Sequence, residues 1–289
     1  MEGPLEPAVV IGSEVPDAQA GEAIHAEEAN ELAETAQELR DRAHFNRFAK
    51  RYAKKDYVPS SSLARRYDVQ SAVMPLVERT GPLGTVIEIG CGPGAVARYL
   101  EGAYETYIGV DYSEKIIAAG RILNGHNGRA HFVVGNAKSI PLPDQIGDAV
   151  ILLGALHHMT QWDAVMDDLK RVAKPGAHLV MREPFSGNPV VQLLRFVRGL
   201  VDPGYSRDQH FFSREELVRL LKSHGFADIE DGYIGYFSTP LAEVILPLGL
   251  LATLMSRAAV SVDRWLDRHL PAPLRIMAWN IVIRARFPV

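Results

Sequence analysis

The sequence predicts an α/β fold: a parallel sheet covered by helices on both faces. Three observations carry this. From residue 84 onward, short apolar β-branched runs alternate with helical stretches, the pattern of βαβ units. The runs are nearly continuous in Val, Ile and Leu, as strands buried on both faces require. A glycine-rich turn, Gly90 to Gly94, follows the first run and opens a helix.

The 289 residues are 47% hydrophobic and 23% charged, which excludes a disordered, collagen-like or coiled-coil chain for most of the length. Residues 1–39 hold ten acidic side chains and no Lys or Arg, so about residues 1–30 are expected to be a disordered acidic tail. An N-terminal helical segment is expected over 31–79. Within it, residues 40–66 carry nine basic and two acidic residues. Leu39, Ala43, Phe48, Ala49 and Tyr52 recur there at three- and four-residue steps, predicting an amphipathic basic helix. Such a helix either packs its apolar stripe on the domain or serves as a lid or a patch for an anionic substrate or membrane surface.

The strands follow in order: 85–90, 106–111, 131–136, 148–154 and 178–183, with helices after the first, second and fourth. Lys174-Pro175-Gly176 stops the helix before the fifth strand. Ser213 and Glu216 read as a capping box.

Net charge is −4, which disfavours a non-specific nucleic-acid binder. The +7 of residues 40–66 and its aromatics leave RNA as a weaker alternative, and DNA is not expected. Cys91 is the single cysteine; it excludes an intrachain disulfide and a multi-cysteine zinc site. With no signal-peptide pattern at the N-terminus, a cytoplasmic location is expected, membrane-peripheral at most. The longest apolar run, Val244 to Met255, contains Pro247 and falls short of the about 20 residues that span a bilayer.

The segment Val86-Ile87-Glu88-Ile89-Gly90-Cys91-Gly92-Pro93-Gly94 is the most informative. The chain turns sharply at a strand end, and its backbone must approach a ligand closely. Glu88 lies inside the strand, and Asp111 ends the next one, where a carboxylate can accept both ribose hydroxyls. This segment resembles motif I of the class I S-adenosylmethionine-dependent methyltransferases, and the resemblance extends over about residues 80–230. It implies a Rossmann-like, doubly wound, seven-stranded α/β sheet, mostly parallel with an antiparallel last strand. Residues 80–233 would form the core and 280–289 the last strand.

The resemblance also implies the cofactor, S-adenosyl-L-methionine, and its contacts. Gly90, Cys91, Gly92 and Gly94 would border the methionine part, with Glu88 organising the loop and the amino group. Asp111 would bind the ribose hydroxyls, and Tyr112 would pack on adenine. Asn136, beside Ala137, stands where the family usually has Asp; its carbonyl can still accept from the adenine amino group, without the charge. The Leu153–Gly154 backbone would approach the cofactor amino group. Small-molecule members often place a His next to the reacting atom, which points to His158 first, His157 second and His210 third. Each also has a structural reading, as a helix cap, filler or loop anchor. No metal site is expected, since no His/carboxylate cluster has metal spacing.

Between the last two strands lies an insertion, 234–279, with helices expected over 240–256 and 258–270 and a role as a helical lid. Two apolar or amphipathic elements over one cleft point to a bulky apolar acceptor such as a polyketide, isoprenoid, quinone or lipid, methylated on oxygen, carbon or nitrogen. They equally suit lid packing or a homodimer interface. The alternative from another class is a membrane- or partner-binding module with little catalysis.

Overall fold

In the computed structural model residues 35–201 and 209–289 are described; the expected acidic tail, 1–30, lies outside them. Seven strands form one sheet in the order β3-β2-β1-β4-β5-β7-β6. They are β1 (Leu83–Ile89), β2 (Tyr104–Asp111), β3 (Ala130–Val134), β4 (Gly147–Leu153), β5 (Ala173–Pro184), β6 (Ala227–Ile234) and β7 (Asn280–Arg286). β7 alone runs antiparallel, between β5 and β6. The order reverses between β1 and β4, and the carboxyl ends of these strands open a crevice there.

Strand alternation sends side chains to two buried faces. Ile87, Ile89, Val150, Leu152, Leu179 and Met181 meet α5 (Trp162–Val172) and α7 (Arg214–Ser223) through Val165, Met166, Leu169, Leu217 and Leu221. Val86, Ala149, Ile151 and Val180 meet α2 (Pro59–Thr80), α3 (Ala95–Tyr99) and α4 (Glu114–Leu123) through Val69, Val73, Leu76, Val96 and Ile117. The expected capping box forms: Ser213 Oγ accepts from Glu216 N at 3.2 Å, and Glu216 Oε2 from Ser213 N at 2.7 Å.

Four expectations need correction. The basic segment is two helices, α1 (Ala36–Lys55) and α2, broken at Asp56–Val58 with Pro59 in the first turn of α2. Its buried stripe is shifted as well. Leu39 and Ala43 are exposed, whereas Glu38, Asp41, Ala49, Ala53 and Lys55 are buried, because α1 lies along a cavity where its charged groups find partners rather than on a hydrocarbon core. The fifth strand starts at Ala173: Gly147 pairs with Ala173 and Ala149 with His178, so Lys174-Pro175-Gly176 forms a bulge within it. In the insertion, α8 (Thr239–Glu243) ends before Pro247, and α9 (Gly249–His269) then runs unbroken. A further helix, α6 (Pro189–Val201), was not anticipated.

The insertion is held by buried polar bonds. Asp263, wholly buried, accepts from the N–H groups of Tyr236, Phe237 and Ser238 at 2.9–3.1 Å and from Ser238 Oγ at 2.6 Å. Tyr67 OH of α2 donates to Asp267 at 2.6 Å.

Candidate cofactor and acceptor site

A cavity of about 570 Å³ opens at the carboxyl ends of β1, β2, β4 and β5, a volume usual for small-molecule sites. Its lining gathers Glu88, Gly90, Cys91, Gly92, Asp111, Tyr112, Asn136, Ala137, Leu153, Gly154, His157 and His158, four segments spread over residues 88–158 yet brought together by the strand order. Two expected residues lie elsewhere. Gly94 stands behind the loop with φ +78°, and a Cβ there would meet the Phe132 ring at 2.6 Å; it lets α3 pack against β3. His210 is wedged between Trp162 and Phe212, at ring distances of 4.9 and 4.8 Å, with Nε2 3.4 Å from Glu216. Its neighbours Gln209 and Phe211 line the cavity instead.

The loop geometry explains the glycine at position 90. Its φ is +68°, and a Cβ would lie 2.5 Å from the Ala155 Cβ. Asp111 Oδ2 accepts from Gly92 N at 3.0 Å and Oδ1 from Ser113 N at 2.9 Å, fixing the loop and the β2 tip together. Burial pushes the Asp111 carboxyl up to about 6 despite these bonds. Burial also pushes Glu88 up to about 8, although Tyr107 OH donates to it.

Helix α1 supplies another wall. Phe45 packs on Tyr52, His158 and Tyr112, at ring distances of 5.2, 5.1 and 6.1 Å. The helix is clamped at its start: Lys138 Nζ, its side chain 1% exposed, meets Glu38 Oε2 at 2.9 Å, and Glu38 Oε1 accepts from Thr160 Oγ1 at 2.8 Å. Burial works against the Glu38 charge, but Lys138 and the other donors hold its carboxyl below the usual range.

The two histidines each face a carboxylate. His157 Nδ1 lies 2.7 Å from Glu183 Oε2, and His158 Nδ1 lies 3.4 Å from Asp41 Oδ2. Glu183, wholly buried, also accepts from Ala155 N, Leu156 N and His157 N at 2.9–3.4 Å. Burial, and then His158, pull the His157 ring down to about 4 against the opposing Glu183. The ring is therefore neutral at pH 7. A carboxylate accepting three N–H bonds takes a fourth from Nδ1–H, so Nε2 carries the lone pair.

A methyltransferase-domain family model matches residues 87–181, the stretch from β1 to β5 that builds this cavity. Over that stretch the chain carries a methyltransferase domain. Its curated relatives include a fatty-acid O-methyltransferase of Mycolicibacterium smegmatis, 30% identical over 119 residues, covering 40% of this chain and 42% of the relative. A ubiquinone/menaquinone biosynthesis C-methyltransferase of Methylobacterium nodulans is 30% identical over 141 residues, 42% of this chain and 56% of that protein. The chain thus spans about half the length of the curated relatives it matches. A solved S-adenosylmethionine-dependent methyltransferase from Thermotoga maritima shares the fold, with TM-score 0.59 at 20% identity over 84% of this chain and 98% of that one.

The methyltransferase fold implies S-adenosylmethionine, and the cavity fits it. Arg182 Nη1 lies 3.5 Å from Asp68 Oδ2, while the buried Arg182 Nε and Asp68 Oδ1 have no hydrogen-bond partner. Burial pushes Asp68 up to about 7. A Cβ on Gly154 would sit 2.9 Å from Arg182 Nη2. Orphaned atoms of opposite sign beside Gly154 match the two charges of an amino-acid group. Lys55, Arg65 and Glu243 extend this polar wall. Burial opposes the Glu243 charge, yet Lys55 and Arg65 hold its carboxyl well below the usual range. Phe45, Lys55, Arg65, Asp68 and Glu243 were not foreseen as site residues, and no sequence motif surrounds them. Glu183 carried one available signal, a buried acid ending the fifth strand beside the histidine pair.

Proposed function

We propose that this chain transfers the methyl group of S-adenosylmethionine to a small apolar acceptor, with His157 as general base. The bound cofactor supplies an electrophilic methyl group on a sulfonium. Asp111 would take its ribose, Arg182 with Asp68 its amino-acid end, and Tyr112, Asn136 and Ala137 the adenine side. The observation that supports the base is the 2.7 Å His157–Glu183 contact. Glu183 orients the ring and favours the positive charge it gains when Nε2 takes the acceptor's proton. The acceptor's oxygen, carbon or nitrogen would give its proton to His157 Nε2 and so be open to the methyl group that the cofactor would supply.

Phe45 and Tyr52 of α1, together with Phe211, Val244 and Trp279, line the rest of the cavity. They keep water from the reacting groups and accept an apolar body. The relatives named for fatty-acid and quinone methylation support that acceptor class. The basic segment offers less to RNA than its charge suggests, because Lys55 and Arg65 are turned inward onto Glu243 and Asp56, at 2.7 and 2.6 Å. The test is S-adenosylhomocysteine release across a panel of fatty acids, quinols and chromanols. Turnover with one class is expected; product with none, alongside tight cofactor binding, would overturn the enzymatic reading.

A further inference from the structure

We infer that the apolar faces beside the cavity mouth form a docking surface for an anionic lipid bilayer. Leu194 of α6 and Val244 after α8 both line the cavity and remain 49% and 38% exposed, so they mark its mouth. On the α6 side the exposed face continues through Leu193, Phe196, Val197 and Leu200. On the other side it continues through Leu248, Leu250, Leu251, Leu254 and Met255, with Leu250 75% exposed. Scattered exposed apolar residues are ordinary; a group this size around one opening marks an interaction site.

Charge selects the occupant. Residues 189–201 and 244–262 contain three arginines and no Asp or Glu, in a chain of net charge −4; Arg195 is turned inward onto Phe185 O and Trp279 O, and Arg257 is exposed. Apolar segments that carry Arg and no acid suit the surface of a membrane containing anionic lipid; the two acids of α9, Asp263 and Asp267, bond to Ser238 and Tyr67. A second copy seated there would cover the mouth through which the acceptor must pass. No described helix is long and apolar enough to cross a membrane, so the contact is with the bilayer surface. This rests on the apolar-acceptor reading and extends it: the acceptor reaches the cavity directly from the lipid phase. The surface is also not the basic helix α1, which the charge pattern alone favours.

The test is flotation of the full chain with vesicles of phosphatidylcholine and phosphatidylglycerol, about 3:1, against phosphatidylcholine alone. Binding is expected with the anionic vesicles and weaker binding without them or at high salt. Phe196→Glu and Leu250→Glu should each lower vesicle affinity about tenfold or more. Ile122→Glu, on the exposed face of α4, should leave it unchanged. Calorimetry with S-adenosylhomocysteine on the same variants should show intact cofactor binding, which separates a failure here from a failure of the enzymatic reading. Absence of vesicle binding, or an equal loss in all three variants, overturns the proposal. So does a homodimer that Phe196→Glu dissociates.

Discussion

Replacing Glu183 by Gln changes one atom of a buried group with four hydrogen bonds. The amide oxygen can keep the Oε1 bonds to Ala155 N and Leu156 N, at 3.1 and 2.9 Å. The amide NH₂ then takes the place of Oε2, where it can donate but not accept. It meets His157 Nδ1 at 2.7 Å, and the ring answers by moving its proton to Nε2. The base is thereby lost while the fold is kept. Stability should fall by about 1–3 kcal/mol, since the bonds that remain lose their charge assistance and the His157 N–H, 3.4 Å from Oε2, loses its acceptor. Turnover should fall roughly 10³–10⁴-fold, the size seen when a base is locked in the wrong tautomer. Nitrogen-15 NMR of the imidazole reads the tautomer without any acceptor. The wild type should show Nδ1–H at pH 7 and the variant Nε2–H. An unchanged tautomer, or a loss of turnover under tenfold with cofactor affinity intact, refutes His157 as the base and leaves Glu183 as an anchor of the turn.

Other outcomes are open to measurement. Glu88 and Asp68 have pKa values raised by burial to about 8 and about 7. A raised pKa gives stability that is complete below the unfolded value and lost as pH rises through the folded one. His157 acts oppositely, its contribution being lost as pH falls from about 6.5 to about 4. The window from about pH 6.5 to 8.5 therefore isolates the carboxyls. Ligand-free protein should lose on the order of 2 kcal/mol there, several degrees in melting temperature, and Glu88→Gln should flatten the slope. Asp111→Ala should weaken S-adenosylhomocysteine binding at least tenfold by calorimetry; unchanged affinity removes its ribose role. Glu38→Ala breaks a buried pair with Lys138 and should cost roughly 3 kcal/mol in urea unfolding, with Glu38→Gln recovering part of it.

The sheet was legible because buried parallel strands leave short β-branched runs, and the cofactor loop because its glycines and acids sit close together in sequence. What was missed has specific physical causes. The start of α6 is written at Asn188-Pro189: Asn188 Oδ1 accepts from Val190 N at 3.0 Å and Val191 N at 3.2 Å, and Pro suits the first turn. Its exposed apolar residues hid the helical period, which sequence reading takes from a buried face. The apolar stripe of α1 was misread because its inward face carries Glu38, Asp41 and Lys55, charges made tolerable by partners about a hundred or more residues away. Arg182 and Asp68 pair across a similar span. Such pairings are properties of the closed fold and leave no local spacing to read.

The insertion between β6 and β7 leaves and rejoins the sheet at one place. Trp279 N–H donates to Gly235 O at 2.8 Å, and the strands on either side pair directly, Ile234 with Asn280. The 236–278 segment is therefore a cassette on a closed hinge point. Its length and composition can change without moving the register of a strand, since added loop costs little once its ends are fixed. On the proposed methyl-transfer reading, a chain built this way would trade acceptors by exchanging one cassette while its cofactor loop, histidine pair and sheet stay as they are.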